Sequence, residues 1–259
     1  MCSSDLEALG ERWAVAAADG TGWLGRGRIA ALVAGGGSDQ SESEGRAPGA
    51  RMMGCGAAEP LPRSMPSLIL HIGTAKTGTT SIQRFLSENR QELAAQGIVV
   101  PSFLGIGPNH RWLPLLAQDE ATLDGFAVRQ GLHTSAERLR ERRDAKRKEL
   151  REAVAGQPRA RWIISSEQLH SRLDLVDLLR LRRLLEPLFE EIRVLVYLRH
   201  PLPTAISSWS SRVRAGRVTP SLPPAESFAN LCDHGPTLRC WQRVFGRQRL
   251  MVQIGRAHV

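Results

Sequence analysis

A strand–loop–helix unit at residues 67–96 constrains the fold more than any other part of the sequence. It begins with SLILHIG, an almost continuous apolar run ending in glycine, which is typical of a strand buried on both faces of a parallel sheet. The loop TAKTGTT follows, and then an amphipathic helix is predicted from about 79 to 96. Because the first amides and the dipole of such a helix attract anions, the unit predicts a phosphate-binding loop.

Four further apolar runs alternate with helical patterns along the chain. The predicted strands cover residues 97–101, 161–167, 193–201 and 249–253. The predicted helices cover residues 111–118, 134–154, 175–192, 203–216 and 237–246. Strands that alternate with helices at this spacing predict an α/β fold of the P-loop nucleotide-binding type: a doubly wound, mainly parallel sheet with helices on both faces.

Composition narrows the class of protein. The chain has 259 residues, of which 42% are hydrophobic and 24% charged, so it can bury one ordinary core. No apolar run reaches the roughly 20 residues of a membrane-spanning helix. The four cysteines form no CxxC pair, which favours reduced thiols and a cytoplasmic location. The net charge of +9 predicts anionic partners.

Both ends of the chain are expected to be foreign to the folded domain. The segments MCSSDL and IGRAH can be encoded by DNA strings that are reverse complements, as a sequencing adapter translated at both ends would be. Residues 1–64 are rich in Gly, Ala, Ser and Arg and have no apolar period, so we expect a disordered or non-native extension. The expected domain covers residues 65–253, truncated at its C-terminus, and residues 254–259 are expected to be a non-native tail.

The order of residues in the loop argues against a nucleoside triphosphatase. That class has GxxxxGK[ST] and a later strand ending in an aspartate that holds magnesium. Here the later strands end at Glu167 and at Arg199. The loop residues are, in order, Gly73, Lys76, Gly78, Thr79 and Thr80.

Two segments resemble sulfotransferases that use 3′-phosphoadenosine-5′-phosphosulfate (PAPS). HIGTAKTGTTSIQRFL resembles their 5′-phosphosulfate loop, and VLVYLRHPLPTAISSW resembles their 3′-phosphate-binding segment. In the second segment a serine lies eight positions beyond the arginine of Arg-x-Pro, a spacing that Arg199 and Ser207 have. With ISSE at 164–167, the chain is most similar to a bacterial, carbohydrate-sulfotransferase-like branch. The resemblance covers about residues 67 to 253.

The resemblance implies a role for each matching residue. Lys76 would be the catalytic lysine, stabilising the charge that develops on the leaving phosphate. Arg199 and Ser207 would bind the 3′-phosphate, which distinguishes PAPS from ATP. It also implies that no metal is required and that the acceptor is a hydroxyl of a carbohydrate or glycolipid. The donor-binding residues implied are Lys76, Thr77, Gly78, Thr79, Thr80, Arg199 and Ser207.

The general base is not fixed by the resemblance. Glycan-modifying relatives have a glutamate eight positions beyond the lysine, where this chain has Arg84. Glu167, at the carboxyl end of a predicted strand, is the first candidate, although a structural glutamate with a backbone or arginine partner has the same sequence signature. His110, after the second strand, is the second candidate.

Other functions remain open from the sequence. A nucleotide-dependent kinase or phosphotransferase on the same fold is one alternative, and a non-enzymatic anion-binding module is another. The helix AERLRERRDAKRKELREA interleaves both charge signs, which predicts a solvated, salt-bridged face and no nucleic-acid partner. Its basic residues could instead attract an anionic polysaccharide or the membrane surface.

Overall fold

Five parallel strands form the central sheet of the protein. A computed structural model describes residues 65–216 and 232–254, and the strand order is β2-β3-β1-β4-β5. The strands are β1 (Ser67–His71), β2 (Ile98–Val99), β3 (Arg161–Ser165), β4 (Glu191–Leu198) and β5 (Leu250–Ile254). Every strand pair is parallel, and β1 pairs with both β3 and β4. The predicted α/β class is confirmed.

Helices connect successive strands. They are α1 (Thr79–Glu88), α2 (Arg90–Ala95), α3 (Trp112–Ala117), α4 (Gly125–Arg129), α5 (Ala136–Ala155), α6 (Gln168–Arg172), α7 (Leu175–Leu185), α8 (Pro201–Arg214) and α9 (Gly235–Phe245). Short 3₁₀ helices cover Glu120–Thr122 and Arg247–Arg249. In the described residues no helix is both long and apolar enough to cross a membrane.

Four helices differ from the sequence prediction. The helix predicted from 79 to 96 is interrupted at Asn89, whose side-chain amide donates to the Phe85 carbonyl (2.8 Å) and competes with the helical hydrogen bonds. The predicted helix at 175–192 ends at Leu185, two residues before Pro187. The short helices α4 and α6 were not predicted.

The core lies where β1 and β3 face the helices. Leu68, Leu70 and Trp162 on these strands are fully buried. Helix α7 contributes Leu178, Leu181 and Leu185, at the spacing of one helix face. On α9 the Trp241 ring stacks on Phe245 at 5.2 Å between centroids. These side chains hold the sheet on which the loops of the site are built.

Topology favours a ligand site between β1 and β4. The chain leaves β1 toward β2 on one side and leaves β4 toward β5 on the other, although β1 and β4 are neighbours. In open α/β sheets, ligands bind outside the carboxyl ends of strands at such a switch point. The two loops predicted to bind the donor follow these two strands.

Some predictions concern residues outside the described ranges. The extension at 1–64 and residues 255–259 of the tail lie there, as does the segment 217–231. Ile254, predicted to be the first residue of the tail, is the last residue of β5 and pairs with Leu198 of β4.

Candidate donor and active site

Hydrogen bonds between the chain after β1 and strand β4 bring the two predicted donor loops together. The Tyr197 amide donates to the Gly73 carbonyl (2.7 Å), and the Thr74 amide donates to the Tyr197 carbonyl (2.9 Å). The Thr74 hydroxyl donates to the same carbonyl at 3.1 Å. The pairing of β1 with β4 therefore continues beyond the end of β1, and Lys76 begins its turn beside Arg199.

Left-handed backbone conformations at Lys76 and Gly78 shape the turn after β1. Gly78 has φ 87° and nothing within 4 Å of where a Cβ would lie, so glycine is favoured here by backbone conformation alone. Lys76 has φ 67°, a conformation that costs an L-residue about 1–2 kcal/mol. The Thr77 hydroxyl closes the turn by donating to the Thr74 carbonyl at 2.6 Å. The turn directs the chain into α1 immediately after Gly78.

The N-terminus of α1 offers free backbone donors. The amides of Ser81 and Ile82 donate to the Gly78 carbonyl (3.0 and 3.1 Å). Thr79 and Thr80 precede them, and the first amides of a helix have no partner within it. The first turn of α1 contains no acidic residue that would occupy these donors. The loop therefore has a backbone arrangement that is suited to an anion.

Lys76 of this loop contacts two residues that follow the neighbouring strand. They are Arg199, directly after β4, and Ser211 of α8. The Arg199 Nη1 donates to the Lys76 carbonyl (3.1 Å), and the Lys76 Nζ donates to the Ser211 Oγ (2.6 Å). The Arg199 Nε is buried and has no hydrogen-bond partner among the described residues. In the described residues neither Lys76 nor Arg199 forms an ion pair. The positive charge of both side chains is therefore available to an anionic ligand.

Ser211 was not predicted as a site residue. Its hydroxyl donates to the Ser207 carbonyl (3.0 Å) while accepting from Lys76. Ser211 lies one helical turn after Ser207, so its position on the same face of α8 is a signal that the sequence contains. The serine holds the lysine ammonium next to the turn of α8 that carries Ser207.

Glu167 lies against the loop that follows β1. Its Oε2 accepts from the Thr79 hydroxyl at 3.0 Å, and its Oε1 accepts from the Gln168 side-chain amide at 3.3 Å. A Cβ on Gly73 would lie 3.3 Å from the Glu167 Cα, so glycine permits this close approach. Glu167 is half-buried. Its two partners are a hydroxyl and a side-chain amide, whereas the structural alternative predicted an arginine or backbone partner.

Gln168 is a second residue that the sequence did not single out. Its Oε1 accepts from the Asn109 side-chain amide (3.1 Å) and from the Ser166 hydroxyl (2.9 Å). These two contacts orient the Gln168 amide so that its NH₂ group faces Glu167. Asn109, in the loop after β2, and Ser166, directly after β3, therefore position Gln168. Gln168 in turn holds one carboxylate oxygen of Glu167, the candidate base.

His110, the second candidate base, is buried against the end of β3. Its Nδ1 accepts from the Ser165 amide at 2.8 Å, and the residue is only 1% exposed. Burial lowers the pKa of His110 to about 4, and the same cause lowers the pKa of His71 to about 4. The His71 Nδ1 lies 2.7 Å from the Ser165 hydroxyl. The structure therefore places His110 as a buried support of β3, and its role as a base stays a prediction.

The threonines of the loop divide into two groups. The hydroxyls of Thr77 and Thr79 are used inside the protein, by the Thr74 carbonyl and by Glu167, so only their backbone remains for a ligand. The Thr80 side chain is exposed.

Among residues 65–216 and 232–254, no group of three or more His, Cys, Asp or Glu side chains could hold a metal ion.

Comparison with known proteins gives structural similarity without a sequence match to a family or a curated protein. No family model matches the chain, and no curated protein matches it. Among solved structures, the chain is similar to a sulfotransferase from Alicyclobacillus acidocaldarius, with 20% sequence identity over 72% of each chain and a TM-score of 0.46.

The buried histidines predict acid sensitivity. His71 and His110 have pKa values lowered from 6.5 to about 4 by burial, so the unfolded chain takes up protons below pH 6.5 that the folded chain does not. The free energy of unfolding should therefore fall by about 1.4 kcal/mol per pH unit for each histidine as pH drops from 6.5 toward 4. The free energy of unfolding should be measured by urea titration at several pH values for the unchanged protein and for His110→Gln. Its slope against pH should be smaller in the variant. Equal slopes over that window would contradict the assignment, and above pH 7 the two slopes should coincide.

Proposed function

We propose that the protein is a PAPS-dependent sulfotransferase. The observation that carries the proposal is the position of Arg199: its guanidinium donates to the Lys76 carbonyl, and its buried Nε lacks a partner among the described residues. This creates a second anion-binding group one loop away from the N-terminus of α1. A ligand with two separate anionic groups suits such a pair better than a ligand with a single phosphate chain.

The donor-binding residues fit the two anionic ends of PAPS. The amides of Thr79 and Thr80 and the Lys76 ammonium would hold the 5′-phosphosulfate. Arg199 and Ser207 would hold the 3′-phosphate, a group that ATP lacks. Both sets lie at the switch point between β1 and β4, where the topology favours a nucleotide.

Lys76 and Glu167 would act on the two sides of the transferred group. PAPS supplies a sulfuryl group activated by its anhydride with phosphate. The Lys76 ammonium, which the Ser211 hydroxyl holds at 2.6 Å, would neutralise charge on the departing phosphate oxygen. Glu167, whose oxygens are held by Thr79 and Gln168, would accept the proton of the attacking hydroxyl.

The acceptor that we propose is a hydroxyl of a carbohydrate or glycolipid. The support is the similarity of the two donor segments to the carbohydrate-sulfotransferase-like branch and the net positive charge of the chain. We place the protein in the cytoplasm, since Cys232 and Cys240, the cysteines in the described residues, are both free.

Replacing Arg199 tests the donor assignment. Arg199→Ala should weaken binding of adenosine 3′,5′-bisphosphate by about 2–4 kcal/mol, because a desolvated contact to the 3′-phosphate is lost. Binding of 5′-AMP should change little. Isothermal titration calorimetry measures both, and Arg84→Ala, at an arginine 72% exposed in its side chain on α1, is the matched control. Equal losses for both nucleotides would rule out this role of Arg199.

Replacing Glu167 tests the proposed base. Glu167→Gln keeps the shape of the side chain and an oxygen that accepts from Thr79 or Gln168, but it removes the basic carboxylate. Turnover of PAPS with a p-nitrophenyl glycoside should fall about 100-fold or more, while calorimetry shows unchanged binding of adenosine 3′,5′-bisphosphate. The control is Glu92→Gln, on the exposed surface of α2. Undiminished turnover in Glu167→Gln would remove Glu167 from the mechanism.

A further inference from the structure

Helix α8 carries an apolar stripe that the protein core does not bury. Leu202 and Ile206, one turn apart, are 63% and 50% exposed. Trp209 and Val213 continue the stripe at helical spacing and are half-buried. In the whole helix only Thr204 is buried. An amphipathic helix normally turns its apolar stripe toward the core, so this stripe indicates an external apolar partner.

The stripe lies at the same edge of the sheet as the donor site. Helix α8 starts at the carboxyl end of β4, and its Ser211 accepts from Lys76 of the donor loop. A further exposed aliphatic residue, Ile106 (56% exposed), lies in the loop after β2. This loop is held at the carboxyl end of β3 by the His110 amide, which donates to the Ser165 carbonyl. Exposed apolar side chains therefore flank the edge at which the donor would bind.

The charge of α8 selects the kind of partner. The helix contains no Asp or Glu, and its last turn presents Arg212 and Arg214, both exposed. Apolar side chains beside arginines are the composition of helices that lie in the interface of an anionic bilayer. A second copy of the chain would instead bring an identical set of arginines to the contact.

We propose that α8 docks the protein on an anionic lipid bilayer, with the Leu202–Ile206 pair entering the headgroup boundary and the arginines contacting lipid phosphates. Resting on the proposed sulfotransferase function, the docked helix would hold Lys76, Ser207 and Ser211 close to the membrane surface. The substrate class that this orientation favours is a hydroxyl in the headgroup of a glycolipid.

Vesicle co-sedimentation tests the docking. The full chain should bind phosphatidylcholine vesicles that contain phosphatidylserine and bind pure phosphatidylcholine vesicles more weakly. Changing Leu202→Ser together with Ile206→Ser should lower the partition coefficient by about tenfold or more, since two aliphatic side chains no longer enter the bilayer. Changing Arg212→Gln together with Arg214→Gln should lower it by about fivefold for each arginine on anionic vesicles only.

The matched control is a second exposed apolar pair. Val176→Ser with Leu179→Ser changes side chains that are 53% and 40% exposed on α7, and vesicle binding should be retained. The circular dichroism spectrum and the stabilisation by adenosine 3′,5′-bisphosphate should be the same for the Leu202–Ile206 variant and the unchanged protein. Equal values establish that α8 still folds beside an intact donor site.

Three results would overturn the docking proposal. They are absence of binding to anionic vesicles by the unchanged chain, equal losses in the α7 control, and concentration-dependent self-association that the Leu202–Ile206 variant abolishes. The vesicle assay contains no PAPS, so its result tests the docking proposal separately from the sulfotransferase proposal. A chain that binds vesicles but not adenosine 3′,5′-bisphosphate would retain the docking helix and lose the proposed activity.

Discussion

The parallel pairing of β1 with β4 is the constraint on which the site depends. Lys76 and Arg199 are 123 residues apart in sequence, and they meet because the hydrogen bonds of the sheet continue past the end of β1 to Gly73 and Thr74. The Arg199 contact to the Lys76 carbonyl also supports a left-handed backbone at Lys76 that would otherwise be unfavourable. One strand pair thus determines both the position and the conformation of the loop.

The same pairing concentrates positive charge. The Lys76 ammonium, the Arg199 guanidinium and the positive end of α1 lie together, and in the described residues no carboxylate pairs with either cation. Such an arrangement costs free energy in the ligand-free protein and is offset when an anion binds. Glu167, the carboxylate beside the loop, accepts hydrogen bonds from Thr79 and Gln168 and forms no ion pair with either cation in the described residues.

Local patterns predicted most of the fold, and tertiary contacts decided the rest of the site. Four of the five strands follow from apolar runs ending in glycine, proline or charge, and the predicted anion loop follows from the order of Gly73, Lys76 and Gly78. Gln168 could not be predicted, because its role comes from Asn109 and Ser166 on other segments. The environment of His110 could not be predicted either, because sequence does not reveal that the Ser165 amide donates to its Nδ1.

Ligand-induced stabilisation of the unchanged protein tests the central claim most directly. If two separate anion groups flank the switch point, adenosine 3′,5′-bisphosphate should raise the melting temperature more than 5′-AMP at equal concentration, and ATP with magnesium should not exceed it. Stabilisation by ATP–magnesium, with none by adenosine 3′,5′-bisphosphate, would contradict the account and favour a kinase or phosphotransferase.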